Sequence, residues 1–206
     1  MKTVSINLYS FDELSDEVKA SLIENCRNAR DPVFTQQEQD ACDEVVENFK
    51  AGLRDNLYAL DIEVLYDVDC GQGAGASFTC TFDINKLLAC DNWRRTYGDF
   101  ERTQCLIERG LIDLTARSVR QPSHYVHSLT VSCNIRCEMW DCQISADAKD
   151  EIDRLEAYLT IQTRSKSDGL YRELWKCLDA LNSDEQISDN LRSNGEVYTQ
   201  NGQTID

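Results

Sequence analysis

Basic side chains are scarce in this chain of 206 residues: 21 lysines and arginines stand against 37 aspartates and glutamates, a formal net charge of −16. That shortage excludes a basic footprint on the scale of a domain, so neither direct nucleic-acid binding nor an anionic membrane surface is expected. Long apolar runs are missing as well. None approaches the roughly 20 residues that span a bilayer, and the opening MKTVSINLYS holds no signal-peptide core. Histidine occurs twice, as His124 and His127, which leaves few bases beside which a Ser or Cys could act as nucleophile. Proline also occurs twice, and Pro32 and Pro122 read as stops between elements. No internal repeat and no low-complexity linker is visible.

Ten cysteines are present, at scattered spacings unlike a disulfide framework. With no secretion signal they are expected as free thiols in a reducing compartment. Hydrophobic residues make up 41% of the chain, enough for a sizeable core in a single domain over residues 1–206.

The stretch Asp61 to Ile84 organises the rest. Ile62, Val64, Tyr66 and Val68 recur at every second position, broken only by Leu65 between them, and Phe78, Cys80, Phe82 and Ile84 alternate with polar residues. A period of two marks strands with one buried face. Gly71, Gly73 and Gly75 between them permit positive φ or a close backbone approach, and read as the structural turn of a hairpin.

Before it, Val4, Ile6 and Leu8 suggest a first strand. Ser15 is placed to cap a helix whose apolar face is Val18, Leu22 and Cys26. Thr35 to Glu38 forms a capping box for a second helix, striped by Cys42, Val45, Val46, Phe49, Leu53 and Leu57. After the hairpin come a helix over about 99 to 109 and a strand from Leu114 to Arg120. A longer strand follows from His127 to Met139, with Leu129, Val131, Cys133, Ile135, Cys137 and Met139 on one face. Ser145 caps a helix that runs to about Leu181 as one piece through Gly169. Ser183 to Gln186 opens a short helix, and Val197 to Ile205 reads as a small hairpin turning at Asn201-Gly202. This order predicts an α+β fold: an antiparallel sheet covered by helices, with a long C-terminal helix and a small terminal hairpin.

Several clusters invite a chemical reading. Gly71 to Gly75 resembles a phosphate loop, but a phosphate loop opens a helix, and Ser77 to Phe82 reads as strand. His124, His127, Cys133, Cys137 and Cys142 suggest zinc, yet Cys133 and Cys137 lie four apart on an extended chain, about 13 Å between α-carbons. Buried cysteines acting as small hydrophobes are favoured, so no metal and no cofactor are expected. Asp67 and Asp69 flank the glycine turn and share one face; a solvated strand surface is the favoured reading. Arg94, Arg95 and Arg102 with Trp93 and Tyr97 form a small basic-aromatic patch, expected to pair with the chain's own acids. The acids recur along helices: Asp40, Asp43, Glu44 and Glu47 on one, Asp147, Asp150, Glu151 and Asp153 on another. Spacings of three and four place carboxylates on a common exposed face, a candidate surface for a basic partner, with solubility as the alternative.

Four stretches, in order, resemble a family of small acidic proteins from bacteriophage and prophage genomes. They are Tyr9 to Lys19 (a strand, then F-x-E-L-S), Cys70 to Phe78 (a QGDGASF turn), His124 to His127 (HYxH), and Leu181 to Gly202 (L-x-S-D-E-x-I leading to T-E-D-G). Ala74 stands where that family commonly has Asp. The family has no settled activity and is sometimes labelled antitoxin-like. The resemblance implies a phage origin and action in a host bacterial cytoplasm. The expectation is a non-catalytic inhibitor that binds a basic host defence protein, of the anti-CRISPR or anti-restriction type, possessing an acidic surface that imitates nucleic acid. The alternatives are an antitoxin-like partner of a toxin, and an enzyme acting near Asp67, Asp69 and His124.

Overall fold

A computed structural model gives the fold and describes residues 7–28, 35–68, 73–90, 98, 100–123, 125–140 and 144–204. In chain order, α1 spans Asp16–Asn28, α2 Gln36–Leu57, β1 Ala59–Asp67, β2 Gly75–Phe82, α3 Ile84–Ala89 and α4 Glu101–Glu108. Then follow β3 Ile112–Arg120, β4 Val131–Met139, α5 Ala146–Leu181 and α6 Asp184–Ser193, with 3-10 turns at Phe11–Glu13 and Ser128–Thr130. The fold is α+β, as the order of sequence patterns predicts. By their contacts the residues fall into two compact units, Asp43–Trp175 and, together, Met1–Cys42 with Lys176–Asp206. Among the described residues no helix is long and apolar enough to cross a membrane.

In the larger unit the sheet runs β1-β2-β3-β4, antiparallel throughout. Its inner face carries Phe78, Cys80, Phe82, Leu114, Ala116 and Cys133, packed with Leu53 and Leu57 of α2, Leu87 of α3, and Leu155 and Leu159 of α5. The opposite face is largely solvent-exposed, with Glu63, Leu65, Asp113, Arg117, Asn134 and Arg136 along it. β3 pairs with β4 over its whole length, whereas β2 meets β3 only from Cys80 to Phe82. Where that ladder stops, the buried Ser118 hydroxyl accepts from Cys80 N at 2.7 Å and so pairs a backbone donor that would otherwise be left over. The edge at β4 is closed by α5: Cys133 N donates to Thr160 Oγ1 at 2.9 Å, Ile135 N to Glu156 Oε2 at 2.7 Å, and Arg164 Nε to Val131 O at 2.9 Å. Those side chains satisfy an edge that would otherwise offer unpaired groups to another strand.

In the smaller unit Phe11, Leu14, Ile187, Leu191 and Tyr198 form a separate cluster, with Val18, Leu22 and Ile23 of α1 against it. Arg192 lies over the Phe11 ring and pairs with Asp12 at 2.8 Å. The caps read from the sequence are in place. Val18 N donates to Ser15 Oγ at 3.4 Å and Gln186 N to Ser183 Oγ at 3.2 Å. Thr35 N and the Glu38 side chain close their box at 2.9 Å, and Ala148 N donates to Ser145 Oγ at 3.2 Å.

Several expectations are corrected. Ile84 does not extend the second hairpin strand: Asp83 accepts from Lys86 N at 3.1 Å and caps α3, a helix the periodicity did not predict. The strand expected from His127 begins at Val131, because Ser128–Thr130 forms a 3-10 turn. That turn buries Thr130, whose hydroxyl donates to His127 O at 2.8 Å, and leaves Leu129 exposed. Met139, at the strand's end, is exposed too. Cys26, at the end of the α1 stripe of Val18 and Leu22, is exposed. The terminal hairpin shrinks to single bridges, Tyr198 to Tyr9 and Tyr198 to Thr204. Of the expected first strand, Leu8 is exposed and Tyr9 makes that one bridge, while Val4 and Ile6, like Pro32 and Ile205, lie outside the described residues.

Candidate functional site

The two acid-bearing helices differ. On α2, the buried stripe of Cys42, Val46, Leu53 and Leu57 fixes which side faces the core, and Asp40, Asp43, Glu44 and Glu47 are all exposed on the other. Glu47 accepts from Lys50 Nζ at 2.7 Å, which holds its carboxyl below the ordinary glutamate range. Asp40 accepts from Gln36 Nε2 at 2.7 Å. The four carboxylates form one solvent-facing row along the helix.

On α5 one acid leaves the row. Glu151 is half-buried and accepts from both Thr103 N (2.9 Å) and Thr103 Oγ1 (2.8 Å). Thr103 lies at the start of α4, is fully buried, and has a backbone N–H with no partner inside its own helix. Glu151 therefore caps α4 and is corrected from surface acid to structural acid. Asp147 pairs with Arg102, so the expected link between the basic patch and the chain's own acids exists at that residue. Trp93, Arg94, Arg95 and Tyr97 lie outside the described residues. Asp150 and Asp153 are exposed.

The glycine turn is a tight structural element. Gly73 has φ +103°, a region that L side chains rarely adopt. A Cβ there would collide with the Tyr125 ring. Gly75 opens β2, paired with Asp67, and a Cβ on it would come within 2.6 Å of His127 Cα. Val126 N donates to Gly73 O at 3.3 Å, and the Tyr125 and His127 rings stack with centroids 5.9 Å apart. The segment before β4 thus packs directly onto the turn, and the lack of side chains at both glycines makes room for it. β2 follows the turn where a phosphate loop would open a helix. Asp67 is exposed at the end of β1; Asp69, Gly71, His124 and Cys142 lie outside the described residues.

Every described cysteine is a free thiol. Cys80 is buried, and burial pushes its thiol up to about 12, so it carries no thiolate at neutral pH. Cys133 is raised by burial as well, and its sulfur lies 3.3 Å from Thr163 Oγ1. Both act as small core residues. Among the described residues no three His, Cys, Asp or Glu side chains converge as a metal site.

Sequence reasoning missed the groove between α2 and α5. Val45 and Phe49 face Lys166, Gly169, Leu170 and Glu173 across a space of about 420 Å³. Its one trace in the sequence is Gly169 itself, where alanine would favour the helix by about 0.5–1 kcal/mol; no pattern around it marks a groove.

Residues 34–184 match a domain of unknown function, DUF8835, and the chain belongs to that family. No curated protein and no solved structure matches it.

Proposed function

We propose that this member of the DUF8835 family is a phage accessory protein, a non-catalytic binding module that engages the basic surface of a bacterial defence protein in the host cytoplasm. The observation that carries the reading is the exposed carboxylate row of α2, Asp40, Asp43, Glu44 and Glu47, on a chain of net charge −16. A carboxylate row on a rigid helix imitates a phosphate row in sign and roughly in spacing. Basic nucleic-acid channels are natural targets for such a surface, and long-range attraction speeds their encounter. Direct nucleic-acid binding is disfavoured by the same charge.

The test begins by identifying the host protein retained by the full chain. Its affinity is then measured across a salt series, with nucleic acid as competitor. Affinity should fall as salt rises, because exposed charges are screened beyond about 8 Å at physiological ionic strength. It should fall again with Asp43→Asn combined with Glu47→Gln. Salt-independent binding, indifferent to that double variant and to competing nucleic acid, would remove nucleic-acid mimicry as the mechanism.

A further inference from the structure

The α2 row supplies charge but no apolar anchor, and charge alone gives encounter rate more than residence. The groove between α2 and α5, wholly inside the unit Asp43–Trp175, supplies the missing part. Phe49 rests one edge on the Phe78 ring, with centroids 5.4 Å apart, and is only half-buried. Val45 is half-buried one turn earlier, and Leu170 is buried on the α5 side. A Cβ on Gly169 would meet nothing within 4 Å, and the same holds for Gly52, one turn beyond Phe49 on the same face of α2. Gly169 therefore lies beneath open space in the groove, while Gly52 lies outside the residues that line it.

The charge beside the groove is uneven: its lining carries one lysine, Lys166, and one glutamate, Glu173, with Gln162 and Ser165, and the acids lie on the α2 flank. Glu44, Asn48 and Asp55 follow one another along the exposed flank of α2, beside Val45, Phe49 and Gly52, and two of the three are carboxylates. On the α5 side Glu173 lines the groove two turns beyond Lys166. Val45, Phe49 and Leu170 form an apolar strip between the two helices, and such a strip accepts the apolar stripe of a third helix. The acids of the α2 flank select a helix with basic flanks. They disfavour a second copy of this chain, which carries the same excess of negative charge.

We propose that this groove takes an amphipathic helix of a basic protein partner, with its apolar side chains over Val45, Phe49 and Gly169 and its lysines or arginines against Glu44 and Asp55. The inference rests on the reading of the chain as an acidic binding module and adds the form of the bound segment.

The probe is a labelled amphipathic peptide of about 18 residues, roughly five helical turns, with leucines on one face and lysines on the other. A peptide of the same composition in scrambled order, and one with glutamates for lysines, are the controls. The full-length protein should bind the leucine-lysine helix and neither control. Gly169→Leu fills the groove without altering charge and should weaken binding at least about tenfold, the scale of a lost anchor. Glu44→Gln with Asp55→Asn should weaken it and flatten its salt dependence. Gly169→Phe serves as a second filling variant, and thermal unfolding confirms that each variant folds. The proposal is overturned if the wild type binds no leucine-lysine helix, if the scrambled peptide binds equally, or if folded groove-filled variants bind undiminished. It is overturned too if sedimentation shows a dimer of this chain that Gly169→Leu dissolves. The broader reading fails separately. A host protein lost by Asp43→Asn with Glu47→Gln but kept by Gly169→Leu would leave the acidic row standing and remove the groove.

Discussion

Helices α2 and α5 both carry acids three and four residues apart, and the glutamates among them have different fates. On α2 the carboxylates of Asp40, Asp43, Glu44 and Glu47 remain in solvent. On α5, Glu151 holds the buried Thr103, Glu156 holds Ile135 N on the edge strand, and Asp147 is paired with Arg102. The difference comes from what lies opposite each helix. α5 runs beside an open strand edge and a helix N-terminus, both of which expose N–H groups that need acceptors. On the outward face of α2, Asp40 and Glu47 are bonded within their own helix, to Gln36 and Lys50, and stay exposed. Carboxylates at i and i+4 are thus one signal with two meanings, and the neighbour decides which applies.

The sharpest way to break this comparison is to exchange the two kinds of glutamate for alanine. Glu151→Ala leaves two donors of a fully buried threonine unpaired and should cost about 3 kcal/mol. Glu44→Ala should stay within about 0.5 kcal/mol of the wild type. Urea denaturation of both variants decides the matter; equal stabilities would mean that Glu151 is as dispensable as a surface acid.

The glycines repeat the contrast with a smaller effect. Gly73→Val must enter a positive-φ conformation and displace the Tyr125 ring, a loss of about 2 kcal/mol or more. Gly169→Ala, under open space in a helix interior, should instead stabilise by about 0.5–1 kcal/mol. Thermal melts that move in the same direction for both would contradict the environments described. These two residues also show what was legible beforehand. The clustered glycines between two alternating strands announced a turn through their own pattern. Gly169 stood alone in a helical stretch, and nothing adjacent in sequence told of the space above it.

The smallest expected effect is in pH dependence. Asp83 has its carboxyl held below the ordinary aspartate range, chiefly by the backbone N–H of Lys86 and also by the Lys86 ammonium. A pKa depressed in the folded state contributes stability that is present above the unfolded value and lost as pH falls through the folded one. Asp83→Asn keeps a capping oxygen but not the charge, so the wild type should melt above the variant at neutral pH, and the gap should close in acid. Glu47 is lowered chiefly by the side chain of Lys50 on an open surface. Added salt should therefore erase any gap between wild type and Glu47→Gln while leaving much of the gap at Asp83. A gap at Asp83 that widens as pH falls would reverse the assignment.

Local chemistry was settled by the sequence alone wherever cause and effect lie within a few residues. The caps at Ser15, Thr35, Ser145 and Ser183, the buried stripe of α2 and the alternation of β1 and β2 all follow from spacing along one chain segment. Pairing across distance was decided only by the tertiary structure. Glu151 reaches Thr103 across 48 positions, and Ser118 completes Cys80 across 38. α3 forms where Asp83 can cap it, although its 6 residues are too few to show a helical period. The exposed Leu129 and buried Thr130 are turned about by a 3-10 turn that alternation cannot reveal. A residue's own type and its near neighbours set its local conformation, but its exposure and its partners are properties of whatever the fold brings to face it.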